Sequence, residues 1–193
     1  MSVEDRTRWD AKYAGRSLPG SIGPAAVFAP FADVFPTAGH ALDIACGQGA
    51  AAVWLAQRGL QVAGFDVSPV AIEQARAFAQ HSGVGDRCRF DAVDLDDGLP
   101  DGPPADVVYS ARFRDRRLDA PMIQRLAPGG LLAITALSQV GSTTGRFRAA
   151  PGELRTAFAN LEMIAEGEAD ALAWLLARRR KAPSPAPHGD GRD

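Results

Sequence analysis

The stretch Leu42-Asp43-Ile44-Ala45-Cys46-Gly47-Gln48-Gly49 sets two glycines one residue apart directly after a short apolar run, and Asp66 closes the next such run. Glycines at a strand-to-helix turn let a ligand approach the backbone, and an acid ending the following strand is placed to accept hydrogen bonds from ribose hydroxyls. This pattern predicts a nucleoside cofactor. Gly47-Gln48-Gly49-Ala50-Ala51-Ala52 also satisfies the relaxed dinucleotide fingerprint G-x-G-x-x-A, so a short NAD(P)-binding reductase is an alternative reading. Asp43 weighs against it. A carboxylate just before the glycine turn repels a pyrophosphate and favours a sulfonium or ammonium group.

From Ala41 onward, short apolar runs alternate with amphipathic stretches, which predicts βαβ units and a mostly parallel sheet. Strands are expected at 41–46, 61–66, 87–93, 105–110 and 131–137. Helices are expected at 50–58, at 118–126, at 151–159, and from the Ser68 cap and Pro69 to Gly83. Pro128-Gly129-Gly130 is read as the break that ends the 118–126 helix ahead of the fifth strand. Runs 161–166 and 171–178 have no helix between them, so that last pair is predicted to be antiparallel. Residues 1–40 carry several prolines and glycines and are read as an irregular cap or lid, helix-like only at 25–35. Residues 182–193 have almost nothing to bury and are expected to form a disordered tail.

The resemblance to a known family is carried by several of these segments together. Asp43 to Gly49 is similar to motif I of the class I S-adenosylmethionine-dependent methyltransferases, Phe65-Asp66-Val67-Ser68 to their ribose motif, and Val93-Asp94-Leu95 to the segment that brackets adenine. Ala105 to Ser110 is similar to motif IV, and Leu126-Ala127-Pro128-Gly129-Gly130-Leu131-Leu132 to the turn before strand five. Trp9-Asp10-Ala11-Lys12-Tyr13, Val53-Trp54-Leu55-Ala56, Ala150 to Arg155 and Leu175 to Arg179 further resemble the tellurite-resistance-type branch of small-molecule methyltransferases. The chain departs from those patterns at Ala45, which stands where motif I has its first glycine, at Ala50-Ala51 in place of Arg-Asn, and at Thr135-Ala136 in place of Glu-Thr. A polar insertion with a His-Arg pair before the last strand is also missing. Tellurite is therefore not the expected acceptor.

The resemblance implies a single-domain α/β Rossmann-like fold over 41–181, with a mostly parallel seven-stranded sheet, an antiparallel last strand and helices on both faces. It implies S-adenosylmethionine as methyl donor, S-adenosylhomocysteine as product and a small-molecule acceptor. By position, Asp43, Ala45, Gly47, Gln48 and Gly49 would hold the methionine part, Asp66 the ribose, and Val67, Asp94 and Leu95 the adenine. Ser110 and Ala111 would form the floor beneath the sulfonium. Substrate contacts are expected from Trp9, Tyr13, Arg112, Arg114, Arg146 and Arg148, the arginines suiting an anionic group. Because a sulfonium already carries an activated methyl, alignment and exclusion of water suffice. If the acceptor must lose a proton, Tyr13 and Tyr109 are the candidates. A non-catalytic S-adenosylmethionine-binding module is the other alternative.

Composition removes several classes. With 21 Lys+Arg against 23 Asp+Glu the net charge is −2, so nothing in the charge balance calls for a nucleic-acid partner. At 193 residues the chain can bury a sizeable core without disulfides or a structural metal. Cys46 and Cys88 are read as small core residues, and a cytoplasmic location is expected. His40, His81 and His188 are scattered and form neither a zinc site nor a triad. Met1 to Lys12 carry six charged residues and are not expected to act as a signal peptide, and no apolar run reaches membrane-spanning length.

Overall fold

The computed structural model describes residues 3–141 and 148–181. The predicted 182–193 tail and Arg146 lie outside the described residues. Strand β1 (His40–Ile44) is followed by α2 (Ala50–Gln57), β2 (Gln61–Asp66), α3 (Pro69–His81), β3 (Cys88–Ala92) and β4 (Ala105–Ser110), all after a first helix α1 (Val3–Ala14). Then come α4 (Asp119–Arg125), β5 (Leu126–Ser138), the two-residue β6 (Arg148–Ala149), α5 (Glu153–Ala157), β7 (Glu162–Ala169) and β8 (Leu172–Arg178).

The sheet order is β3-β2-β1-β4-β5-β8-β7, with β6 paired to β5 off this path. Strands β1 to β6 pair in parallel, and β8 runs antiparallel to both β5 and β7. The order reverses direction between β1 and β4, and in open α/β sheets the crevice outside the carboxyl ends of strands at such a switch is where ligands bind. Strand β1 is buried from Ala41 to Ile44, as expected of a parallel strand covered on both faces. One apolar layer gathers Phe28, Leu55, Ile72, Phe78 and Phe90, and the other gathers Leu95, Leu118, Met122, Leu126 and Phe158.

Three expectations are corrected. Residues 3–14 form a helix, not an irregular segment, with Glu4 and Asp5 in the first turn and Lys12 in the last, as the helix dipole favours. The 25–35 stretch is 3-10 helix over Ala26–Val34, with Pro30 inside it and Phe31 departing from helical geometry. The fifth strand starts at Leu126, not at 131, so Pro128-Gly129-Gly130 lies within it, although the 118–126 helix does end ahead of that stretch, at Arg125. Ala105 pairs with Leu126 and Val107 with Leu131, so the register slips by absorbing those residues as a bulge. Gly129, at φ +83°, supplies the left-handed residue the bulge requires.

Candidate active site

At the carboxyl end of β1 the backbone turns into α2 through two left-handed glycines. Gly47 has φ +53° and Gly49 has φ +81°, and each is also closely approached by other atoms. A Cβ on Gly49 would sit 3.1 Å from Ala75 Cβ and 3.2 Å from the Phe90 ring, so this glycine lets α2 seat against α3 and β3. A Cβ on Gly47 would sit 2.8 Å from Tyr13 Oη, so the first glycine leaves room over the loop. Ala45 also adopts a left-handed conformation, φ +54°. That is a conformation glycine adopts freely and alanine holds at a cost of about 1–2 kcal/mol.

Asp66 Oδ2 accepts the Gly47 N–H at 2.9 Å and Oδ1 accepts the Ser68 N–H at 3.0 Å. The end of β2 is thereby tied to the glycine turn. Burial raises the Asp66 pKa, while the backbone N–H groups of Ser68, Gly47 and Val67 oppose the shift. Asp43 is 2% exposed, and its Oδ2 is buried without a hydrogen-bond partner. Desolvation, and then the nearby Asp66 charge, push its carboxyl up to about 8. A buried carboxylate with an orphan oxygen is costly unless a cation or donor meets it.

Two adjoining cavities open here. One, of about 310 Å³, is bounded by Asp66, Val67 and Phe113 on the sheet side and by Trp9 and Lys12 from α1. The other, of about 510 Å³, is bounded by Asp43, Cys46, Gly47, Gln48, Tyr109 and Thr135. Tyr13, Arg16, Ala45, Ala111 and Arg112 line both.

Helix α1 is fastened over the first cavity from below. Ser68 Oγ donates to Asp10, Gln74 Nε2 donates to Tyr13 O at 3.0 Å, and Gln48 Nε2 donates to Ser17 O at 2.9 Å. The rings of Trp9 and Tyr13 stack with centroids 5.9 Å apart.

Of the expected site residues, the structure gathers Trp9, Tyr13, Asp43, Ala45, Gly47, Gln48, Asp66, Val67, Ala111 and Arg112 around these cavities. Gly49 lies one residue behind the wall. Leu95 is 1% exposed and packs into the core, and Asp94 caps a 3-10 turn by accepting the Asp96 N–H. Ser110 is fully buried, with its Oγ unpartnered.

The arginines separate by partner. Arg114, expected to meet substrate, is buried instead, with a bidentate pair to Asp119 at 2.5 and 2.8 Å and Nε on Glu153 at 2.6 Å. Its guanidinium is consumed internally, so it is withdrawn as a substrate contact. Arg148 donates to Ser138 O and lines neither cavity.

Tyr109 is buried, with its hydroxyl accepting the Ala25 N–H at 2.7 Å. Desolvation raises the pKa of both Tyr109 and Tyr13, with Asp43 adding to the first and Asp66 to the second. Both phenols are therefore protonated near neutral pH when the site is empty.

Sequence reasoning did not single out Thr135, Arg16 or Lys12 as site residues. Thr135 Oγ1 accepts the Arg112 N–H at 2.9 Å and holds Arg112 in a left-handed backbone, φ +56°. Only its position near the end of β5, facing the loop after β4, could have signalled this. Lys12 belongs to a helix that the sequence pattern did not reveal, and Arg16 lies two residues past its end.

Residues 41–130 match the family model described as a methyltransferase domain. Trans-aconitate 2-methyltransferase of Streptomyces coelicolor is 35% identical over 98 residues, 48% of this chain and 32% of that protein. The match spans about a third of the length of the first curated relatives. A structure described under the conversion of a disulfide bond into a thioacetal group during echinomycin biosynthesis is 25% identical, covering 91% of this chain and 93% of that one at a TM-score of 0.66. TehB from Haemophilus influenzae shares the fold at a TM-score of 0.72 with 18% identity, over 89% of this chain and 67% of its own. No helix among the described residues is long and apolar enough to cross a membrane. With this sheet order and the glycine turn at its switch point, residues 41–130 carry a methyltransferase domain similar to those of the S-adenosylmethionine-dependent methyltransferases.

Proposed function

We propose that this protein transfers a methyl group from S-adenosylmethionine to a small-molecule acceptor. The observation that carries the reading is the orphan Oδ2 of Asp43, buried on a cavity wall beside the glycine turn. An ammonium group is the partner that such an oxygen lacks, and S-adenosylmethionine bears one beside its sulfonium. A dinucleotide would bring a pyrophosphate toward the same carboxylate, which is repulsive.

Asp43 and the Gly47–Gln48 backbone would hold the methionine end, while Asp66 and Val67 would hold the ribose and the adenine edge. When bound, the cofactor supplies an electrophilic methyl on a positively charged sulfur. The chain's own part is to bury that methyl between the two cavities, orient the acceptor across Ala111, and exclude water beneath α1. With both tyrosines protonated, the acceptor is expected to present its nucleophilic atom already deprotonated or uncharged. The segment up to residue 40 serves as the cover in this account, with α1 fastened through Asp10, Gln74 and Gln48.

The test is transfer of isotopically labelled methyl from S-adenosylmethionine to a panel of small acids, amines, thiols and phenols. A labelled product formed by the natural protein and lost in Asp66→Ala supports the reading. Tight S-adenosylhomocysteine binding without turnover on any acceptor would favour a binding module instead.

A further inference from the structure

The basic side chains near the site fall into two groups. Arg114 and Arg116 share Glu153, with Asp119 also on Arg114, and Arg117 is paired with Asp115 and Asp96. Arg8 is paired with Asp5. Lys12, Arg16 and Arg112 have no carboxylate partner among the described residues, although all three line the 310 Å³ cavity. They are also close enough to repel one another: burial first, and then the charges of Arg16, Arg8 and Arg112, lower the Lys12 pKa. The nearby acids are engaged elsewhere. Asp66 faces the Gly47 and Ser68 N–H groups, and Asp10 accepts from Ser68 Oγ and Val70 N.

The proposed cofactor does not neutralise this cluster. Its sulfonium and ammonium carry two positive charges against one carboxylate, and Asp43 balances the one in excess. Arg16 and Arg112 then remain at the junction of the two cavities, with Lys12 on the wall of the first. Arg112 is also held there against a conformational cost, since a non-glycine residue at φ +56° persists only when its surroundings impose it, and here the Thr135 hydroxyl does so.

Resting on the proposed function, we infer that the methyl acceptor is a small organic anion whose carboxylate or phosphate is held by Arg112 and Arg16, with Lys12 beside them. A small ligand fits better than a nucleic-acid strand. Arg16 and Arg112 line a bounded cavity of about 510 Å³, and the neighbouring arginines outside it are already neutralised by carboxylates.

The experiment is calorimetric titration of S-adenosylhomocysteine-loaded protein with malonate, with inorganic phosphate and with neutral malonamide. It is run on the natural chain, on Arg112→Gln, on Arg112→Gln/Arg16→Gln and on Arg87→Gln, a control at the opposite end of the sheet. Binding of malonate or phosphate but not malonamide is expected, weakened about fivefold or more by Arg112→Gln, further by the double change, and not by the control. The anion bound more tightly tells carboxylate from phosphate. S-adenosylhomocysteine affinity in the variants should stay within about twofold of the natural chain, which also reports that they fold.

Equal binding of malonamide, no anion binding, or anion binding indifferent to Arg112 and Arg16 would overturn the inference. So would displacement of S-adenosylhomocysteine by malonate together with its loss in the variants, because the cations would then serve the cofactor's own carboxylate. If the natural chain binds no S-adenosylhomocysteine, the proposed function fails, and the same titrations without it still decide whether the cations form an anion site.

Discussion

Replacing Asp43 by asparagine should strengthen the empty fold and weaken cofactor binding, two effects of opposite sign from one atom. In the unfolded chain this carboxyl titrates near 3.8, and in the fold burial and Asp66 push it to about 8. The folded state therefore holds its proton more tightly, and stability is lost as pH rises from about 4 to about 8. At pH 7 the loss is about 4 kcal/mol, from roughly three pH units at 1.36 kcal/mol each. Asparagine removes that titration and retains an oxygen for the Ala52 N–H, but it sets an amide where Oδ2 had no partner, which costs about 1–3 kcal/mol.

A net gain of about 1–3 kcal/mol remains, or a Tm rise of about 2–4 °C per kcal/mol for a chain of this size. The same change removes the ion pair to the cofactor ammonium and should weaken S-adenosylhomocysteine binding about 10- to 100-fold. The natural chain must lose the Asp43 proton to bind, so its affinity should rise about fivefold from pH 7 to pH 8 and level above about pH 9 at about tenfold in all, whereas Asp43→Asn shows no such rise. Differential scanning fluorimetry and calorimetry across that range read both effects. An Asp43→Asn protein that is less stable at pH 8, or that binds S-adenosylhomocysteine as tightly as the natural chain, would refute the reasoning.

Other perturbations have separable outcomes. Arg114→Ala leaves the Asp119 and Glu153 carboxylates facing each other in a largely buried site and should destabilise the fold by about 3–5 kcal/mol, read by urea denaturation. Ala45→Gly relieves a left-handed alanine but loosens the unfolded chain, so stability should rise by no more than about 1 kcal/mol, with cofactor affinity retained. Gly49→Ala combines φ +81° with contacts at 3.1 Å and 3.2 Å, and a Tm fall of several degrees should accompany lost cofactor binding. Thr135→Val removes the acceptor for the Arg112 N–H and should lower kcat/KM for the acceptor more than it changes S-adenosylhomocysteine affinity.

What could be read before folding followed from local pattern. The βαβ alternation, the Gly47 and Gly49 turn and the Ser68-Pro69 helix start each depend on a few adjacent residues, and their placement relative to Asp66 follows from strand succession. The antiparallel β8 was legible because only a short polar turn separates it from β7. Helix α1 was not, because its surface is mostly charged and its support comes from Ser68 and Gln74, some sixty positions away. The fate of Arg114 was hidden for the same reason: Glu153 lies 39 residues downstream, and sequence proximity offered only Asp115 and Asp119 as partners. The unbroken β5 went unseen because Pro-Gly-Gly marks a turn unless neighbouring strands absorb it as a bulge.

The most direct test of the central claim is calorimetric titration of the natural chain with S-adenosylmethionine, S-adenosylhomocysteine and NADH, with Asp66→Ala beside it. Micromolar binding of the first two, absent in Asp66→Ala and unmatched by NADH, is the predicted result; binding of NADH alone would contradict the account.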